Sequence, residues 1–305
     1  MFIVKHRKWF FIFSSILIAL SVYGIFSYGF NFSVDFKGGT ITEVRYEGTL
    51  PDKNDVEQKI ETLSLGGFSV RPSGESNYAI RTRELNAAER DALIKTLGNP
   101  VVEKQNTIGP IAGAELKSKA VKAVIVVILM IVLFITFAFR KVSNAGLSRG
   151  TRGVSSWKYG LATIIALAHD VIIPTGIFVI LGHYIGLEID LLFVTGLLAI
   201  LGYSVHDTIV VFDRVRENLR INADKNFKED FEITVGKSVK QTFGRSINTS
   251  LTIFITLLAL FLVGSPATKD FAFLLIIGVI IGTYSSIFVA SPLLVTFYKL
   301  QKASK

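Results

Sequence analysis

Two histidine-aspartate neighbours, His169-Asp170 and His206-Asp207, stand deep inside apolar sequence, and a base, Arg245, opens the apolar stretch that follows them. An ionisable side chain at bilayer depth costs about 2.5–3.5 kcal/mol on insertion scales, so each of these needs a physical reason. Asp207 lies six residues before Asp213, roughly 9 Å inside its stretch at helical rise, which is too deep for snorkelling. His169 and Asp170 follow Lys158 by eleven and twelve residues, close to the middle of theirs. Behind Arg245 come Thr249, Thr252 and Thr256, whose spacing puts one base and three hydroxyls on a single helix face. The chemistry such a set supports is a proton relay. Burial disfavours a charged carboxylate, a neighbouring guanidinium favours it, and movement of that guanidinium would switch proton affinity. The candidate relay residues are therefore Asp207, Arg245, Asp170 and His206, with hydrogen bonding between helices as the competing, purely structural role. Adjacent helical residues point about 100° apart, so His206 need not share the partner of Asp207.

Other chemistry is not encoded. The chain has no H-E-x-x-H, P-loop or G-x-G-x-x-G segment, and it has no cysteine. No catalytic residue, cofactor or metal is expected, and the protein is not read as an enzyme.

The elements that hold these residues are membrane spans. Of 305 residues, 50% are hydrophobic and 19% charged, with mean hydropathy +0.50, a composition that excludes a soluble globule and a disordered chain. Six charge-poor stretches reach spanning length: Trp9–Phe30, Ala123–Phe139, Tyr159–Leu181, Leu191–Phe212, Ser246–Thr268 and Phe271–Tyr298. The first follows a basic tail as a signal sequence would, but it is long enough to span and has no small-residue cleavage site, so it is read as a helix. Pro174 and Pro292 are expected to bend their helices. Gly278/Gly282, together with Gly196, Ala199 and Gly202, mark close helix contacts.

Charge sets the expected orientation. Lys5, Arg7 and Lys8, the acid-free link with Arg140, Lys141, Arg149, Arg152 and Lys158, the segment from Asp213 to Arg245, and Lys299, Lys302 and Lys305 concentrate basic residues on one face. The short loops Gly182–Asp190 and Ser265–Asp270 on the other face hold only Lys269. The positive-inside rule then puts both termini in the cytoplasm, and the net charge of +9 reads as topology rather than nucleic-acid binding. Val215, Leu219 and Ile221 predict an amphipathic helix running off the fourth span along the membrane face.

Residues 31–118, with eleven bases and thirteen acids, read as a folded extracytoplasmic domain between 1–30 and the helices of 119–305. Thr42, Val44 and Tyr46 alternate as a strand; Val56, Ile60 and Leu63 form a helix ended by Gly66-Gly67; Phe68/Val70 and Tyr78/Ile80 flank the turn Pro72-Ser73-Gly74. Asn86 and Glu89 cap a helix carrying Leu93, Ile94 and Leu97, and Val101–Thr107 is the last strand. The order β-α-β-β-α-β predicts a ferredoxin-like α+β layout.

Several segments together resemble the SecF family, membrane subunits of bacterial protein export within the RND superfamily. Val34-Asp35-Phe36-Lys37-Gly38-Gly39-Thr40 is similar to the family's D-F-x-G-G-T. Ile108-Gly109-Pro110 with Gly113 and Glu115-Leu116 is similar to its V-G-P-x-x-G-x-E-L, and Ala168-His169-Asp170-Val171 to its H-D-V. The run from Gly202-Tyr203-Ser204-Val205-His206-Asp207-Thr208 through Asp213-Arg214 to Glu217-Asn218 resembles G-Y-S-x-N-D-T-x-V-V-F-D-R-x-R-E-N. Two departures stand out: position 206 is His where the family usually has Asn, and Gln241–Ser246 offers one arginine, Arg245, where the family often has two. The resemblance implies a six-span RND half-transporter in the bacterial cytoplasmic membrane. It implies pairing with SecD, association with the SecY/SecE/SecG channel and with YajC and YidC, and use of the proton-motive force to help move an unfolded exported polypeptide. An RND-type exporter half for a small molecule or lipid, and a non-transporting scaffold, are the competing readings.

Overall fold

The computed structural model describes residues 2–74, 76–139 and 155–303. After a one-turn helix α1 (Phe2–Lys5), α2 (Arg7–Tyr28) forms the first long apolar helix, and a short α3 (Val34–Lys37) leads into the small α+β region. That region runs β1 (Gly39–Arg45), α4 (Lys53–Glu61), β2 (Ser69–Pro72), β3 (Asn77–Thr82), α5 (Ala87–Thr96) and β4 (Val101–Ile108). The remaining helices are α6 (Pro110–Ala138), α7 (Ser156–Ile185), α8 (Leu191–Asp224), α9 (Phe231–Val263) and α10 (Pro266–Ser285). The last passes through a π-helical turn, Ser286–Ala290, into α11 (Ser291–Ala303). Among the described residues six helices are long and apolar enough to cross a membrane.

The sheet has the order β2-β3-β1-β4 with every pair antiparallel, the arrangement expected for a ferredoxin-like unit. Its local signals act as read. Asp52 accepts a hydrogen bond from the Asn54 amide at the start of α4, and Asn86 and Glu89 form a reciprocal capping box on α5. Gly98 and Asn99 take positive φ after α5. Arg83 forks onto Glu89, and that hydrogen-bonded pairing lowers the Glu89 carboxyl to about 2. Val44, Val70, Tyr78 and Ile80 from the strands bury against Val56, Ile60, Leu93 and Leu97 from the two helices.

In the membrane bundle α7, α8 and the α10–α11 helix are central, with 50%, 50% and 56% of their most apolar windows buried, against 17%, 6% and 17% for α2, α6 and α9. Small residues permit the close crossings. Gly278 and Gly282 of α10 lie against Ile200 and Ser204 of α8, and Gly196 of α8 lies against Leu274 of α10. Ala199 and Gly202 do not join that contact, since both are exposed on the opposite face of α8. Pro174 is contained within α7, and Pro292 is the second residue of α11, just after the π-helical turn.

Two expectations change. The fourth span does not end in a helix lying along the membrane: α8 continues unbroken to Asp224, 34 residues or about 50 Å. The fifth helix begins at Phe231, capped by Asp230, well before Ser246. No helix breaker intervenes, and the two extensions zip together as an antiparallel hairpin. Asn218 donates to Ser238 and Gln241, and Asn222 to Glu229, while Val215 and Leu219 pack with Phe231 and Val235. Hydropathy registers only the charge-poor parts of such helices. The basic link Arg140, Lys141, Arg149 and Arg152 and the terminal Lys305 lie outside the described residues.

Candidate proton-transfer site

Asp207 occupies the buried face of α8, 5% exposed. Its Oδ1 accepts a hydrogen bond from Ser246 Oγ of α9 at 2.6 Å, whereas its Oδ2 is buried and receives none among the described residues. A carboxylate with one satisfied and one unsatisfied oxygen in an apolar bundle is a costly arrangement unless a proton or a cation completes it. Tyr203, Ser250 and Thr283 form an adjoining hydroxyl cluster, with Tyr203 to Ser250 and Ser250 to Thr283 both at 2.6 Å.

Asp170, completely buried in α7, is by contrast fully engaged. His169 Nδ1 lies 2.9 Å from its Oδ1, and Ser204 of α8 and Ser285 of α10 both donate to Oδ2, the latter at 2.7 Å. His169 Nε2 is buried without a partner among the described residues, and the ring stacks beside Tyr284. Ser204 lies one turn before Asp207 on α8, so the serine that donates to Asp170 shares a helix with Asp207. Thr208 and Ser286 close the cluster at 2.8 Å, and Ser286 also donates to the Ser204 carbonyl. The serines at 204, 246, 285 and 286 escape a search for ionisable groups because a serine in an apolar run is common; only its neighbours on other helices give it a role.

The other two candidates face outward. His206 is exposed on α8, turned away from Asp207 as the 100° step requires, and Arg245 is exposed on α9 with no hydrogen bond or ion pair among the described residues. Among the described residues none of the threonines behind Arg245 bonds to Asp207. Thr249, Thr252 and Thr256 are exposed with Arg245, and Thr252 and Thr256 return their hydroxyls to the α9 carbonyls four residues earlier. The hydroxyl face that meets α8 belongs to Ser246 and Ser250, one step around the same helix. Thus α8 presents Thr195, Ala199, Gly202 and His206, and α9 presents Arg245, Thr249, Thr252 and Thr256, as an exposed polar, small-residue face with no partner among the described residues.

Residues 31–39 tie this bundle to the sheet. Asp35 Oδ2 accepts from the Leu191 amide at 3.0 Å and so helps cap α8, while Asp190 accepts from the Phe193 amide at 2.7 Å. Ser33 N donates to the Ile189 carbonyl, and Ile189 N to that of Asn31. Gly38 and Gly113 let the start of α6 touch α3: a β-carbon on Gly38 would lie 2.7 Å from Pro110 Cα, and one on Gly113 would lie 2.8 Å from the Gly38 nitrogen. The two motifs flanking the sheet are therefore one packed joint. Glu188 adds a second tie, bridging Arg71 of β2 at 3.1 Å and Arg81 of β3 at 2.8 Å. Burial pushes the Glu188 carboxyl up against the pull of Arg81 and Arg71, and pushes the Arg71 guanidinium down. Such a pair positions the sheet more than it stabilises it.

Six membrane-length helices around two buried carboxylates, with one small α+β region on one side, define a multi-pass membrane protein built on a single helical bundle. Residues 154–300 match the family described as protein export membrane protein SecD/SecF, C-terminal, and residues 23–49 match the SecD/SecF GG motif. The protein translocase subunit SecF of Thermobaculum terrenum is 37% identical over 97% of this chain and 93% of its own length, and that of Calditerrivibrio nitroreducens is 35% identical over 97% and 93%. Protein translocase subunit SecDF of Thermus thermophilus is 33% identical over 95% of this chain, which corresponds to 37% of that longer protein. A crystal structure of SecDF from the same genus, described as a translocon-associated membrane protein, superposes with TM-score 0.83 at 30% identity, covering 97% of this chain and 38% of that one. The chain belongs to the SecF family of protein translocase subunits.

Proposed function

We propose that this chain pairs with SecD in the bacterial cytoplasmic membrane and uses the proton-motive force to help an unfolded polypeptide complete its passage through the SecY/SecE/SecG channel, with YajC and YidC as further associates. The observation that carries this reading is Asp207, a buried carboxylate with one open oxygen on a helix whose opposite face is polar and unpartnered. Approach of the Arg245 guanidinium favours the ionised carboxylate and releases a proton; its retreat favours uptake. Among the described residues Arg245 makes no hydrogen bond or ion pair with Asp207. Asp170 is the second carboxyl of the relay, held by Ser204 one turn from Asp207 on α8, and His206 is a titratable group on the partner face. One elementary charge crossing 100 mV is worth about 2.3 kcal/mol, enough to bias a domain movement. The joint of residues 31–39, Gly113 and the α8 cap offers a route for that movement to the sheet, and no bond-making chemistry is assigned to the chain.

The SecDF proteins, in which a chain of this kind is continuous with a longer one, support SecD as the partner. The face containing Gly202 and Arg245 is where the partner docks. Among the described residues no atom lies within 4 Å of a β-carbon built on Gly202, so Gly202→Leu is expected to leave the chain folded and to cut its recovery with SecD by about ten-fold, the equivalent of about 1.4 kcal/mol. Co-purification from detergent measures this, with wild type recovering SecD and SecY. Full recovery of SecD with the leucine variant would remove the α8–α9 face as the interface, and failure of wild type to recover either partner would favour the exporter reading.

The proposed orientation has both termini and the α8–α9 hairpin in the cytoplasm, with residues 31–118 outside. A single cysteine at Asn86, in this cysteine-free chain, is expected to react with an impermeant maleimide from the outer face alone. Labelling only from the cytoplasmic face would invert the topology.

A further inference from the structure

The sheet has two edges, and they are finished differently. Edge strand β2 is four residues long, ends in Pro72, and has Arg71 tied to Glu188. Edge strand β4 is eight residues long, and seven of its residues, Val101 to Thr107, are exposed. One side of β4 pairs with β1; the other presents its main-chain groups to open space. Such an edge is a template for another extended chain, and proteins blunt it when pairing is harmful.

The space beside this edge has a wall. A cavity of about 570 Å³ is lined by Arg90, Asp91, Ile94 and Lys95 of α5 and by Val102 and Gln105 of β4. Gln105 and Thr107 reach Thr42 and Thr40 of β1 on the helix-covered face, while Glu103 meets Arg45 and Asn77 on the other. The β1–β4 register shifts at Glu103, so a strand added beside β4 would have regular main-chain partners along Lys104–Ile108 and α5 over part of its side chains.

We propose that β4 and the flank of α5 form a docking edge for extended polypeptide in transit, which joins the sheet transiently as a fifth strand. This rests on the export reading and deepens it by naming the surface. Three features select that occupant. Recognition through the main chain suits cargo without a fixed sequence, because every residue except proline offers the same N–H and C=O. The lining mixes both charge signs with only two apolar side chains, so it selects no particular side chain. A permanent partner strand or a second copy would call for a more apolar contact than Glu103-Lys104-Gln105-Asn106-Thr107 provides. Eight residues extend about 27 Å, room for a stretch of unfolded chain.

The test uses the complete complex in vesicles, with a secretory precursor carrying one cysteine and stalled by a folded C-terminal domain. Single cysteines replace Val102 or Asn106 at the edge, or Glu61 on the exposed end of α4 as the control. Disulfide adducts with the precursor at positions 102 and 106, well above position 61, are expected. Adduct yields equal to the control, or adducts at 102 and 106 only with SecD or with a second copy, overturn the proposal. Gln105→Pro and Asn106→Pro then probe the main chain, because neighbouring residues of an antiparallel strand alternate in facing β1 and the open edge. The proline on the open side should keep the outer region resistant to protease and lower the position-102 adduct by about ten-fold, as loss of a main-chain hydrogen bond would. An undiminished adduct in that protease-resistant variant overturns the strand-addition geometry; if neither proline variant folds, the cysteine contrast alone decides. Stimulated export with adducts elsewhere on residues 31–118 defeats only the β4 proposal, whereas no stimulation and no adducts defeats the export reading itself.

Discussion

Asp207→Asn is expected to abolish proton-dependent stimulation of export in the assembled complex while leaving assembly intact. Asparagine can still accept from Ser246 as Oδ1 does now at 2.6 Å, so the α8–α9 packing survives, but the position no longer gains or loses a proton. The loss should exceed about ten-fold, because a relay group that cannot change charge state forfeits the whole coupling of about 2.3 kcal/mol per charge per 100 mV. Asp207→Glu keeps the carboxyl but moves it by one methylene and is expected to retain part of the effect. Arg245→Lys should be intermediate, since the charge remains while the planar donor fork is lost. Precursor translocation in vesicles with and without an imposed pH gradient separates these outcomes. Unchanged gradient dependence in the assembled Asn variant would reduce Asp207 to a hydrogen-bonding residue between two helices.

Gly38→Val and Gly113→Val should be the most damaging substitutions outside the relay. Gly38 has φ +78° and ψ +162°, a region open essentially to glycine alone, where another residue costs about 1–3 kcal/mol. Its β-carbon would also strike the Pro110 backbone, and that of Gly113 would strike Gly38 and Phe36 backbone. Neither neighbour is the flexible end of a side chain, so overpacking adds about 1–3 kcal/mol in each case. Both variants are expected to lower membrane abundance and thermal stability in detergent, Gly38→Val more strongly because it carries both costs. Gly48→Val is the control: it shares positive φ, but a β-carbon there meets nothing within 4 Å. Equal stability for Gly38→Val and Gly48→Val would show that the α3–α6 joint is not closely packed.

Much of this architecture was legible before any coordinates. Charge-poor runs of spanning length reveal helices because lipid offers no hydrogen bonds to an unpaired backbone, and the β-α-β-β-α-β order with its Asn86–Glu89 box and Gly98-Asn99 stop follows from local dihedral and capping preferences. Depth within an apolar run was enough to single out Asp207 and Asp170, since the cost of burying a charge depends on position along the span. The extension of α8 to Asp224 was not legible, because polar helix beyond the bilayer carries no hydropathy signal and is held by its pairing with α9.

What the sequence by itself determined is therefore the set of elements, their order and the depth of the ionisable groups. Tertiary structure alone decided which side of each helix meets another. It turned Ser246 rather than Thr249 toward Asp207, left Arg245 and His206 on an open face, gathered Ser204 and Ser285 onto Asp170, and brought Gly38 against Pro110 and Gly113. The physical reason is that spacing fixes which residues share a helix face, whereas rotation of that face about the helix axis is set by small-residue contacts such as Gly278 on Ile200 and Gly282 on Ser204, between residues far apart in the chain.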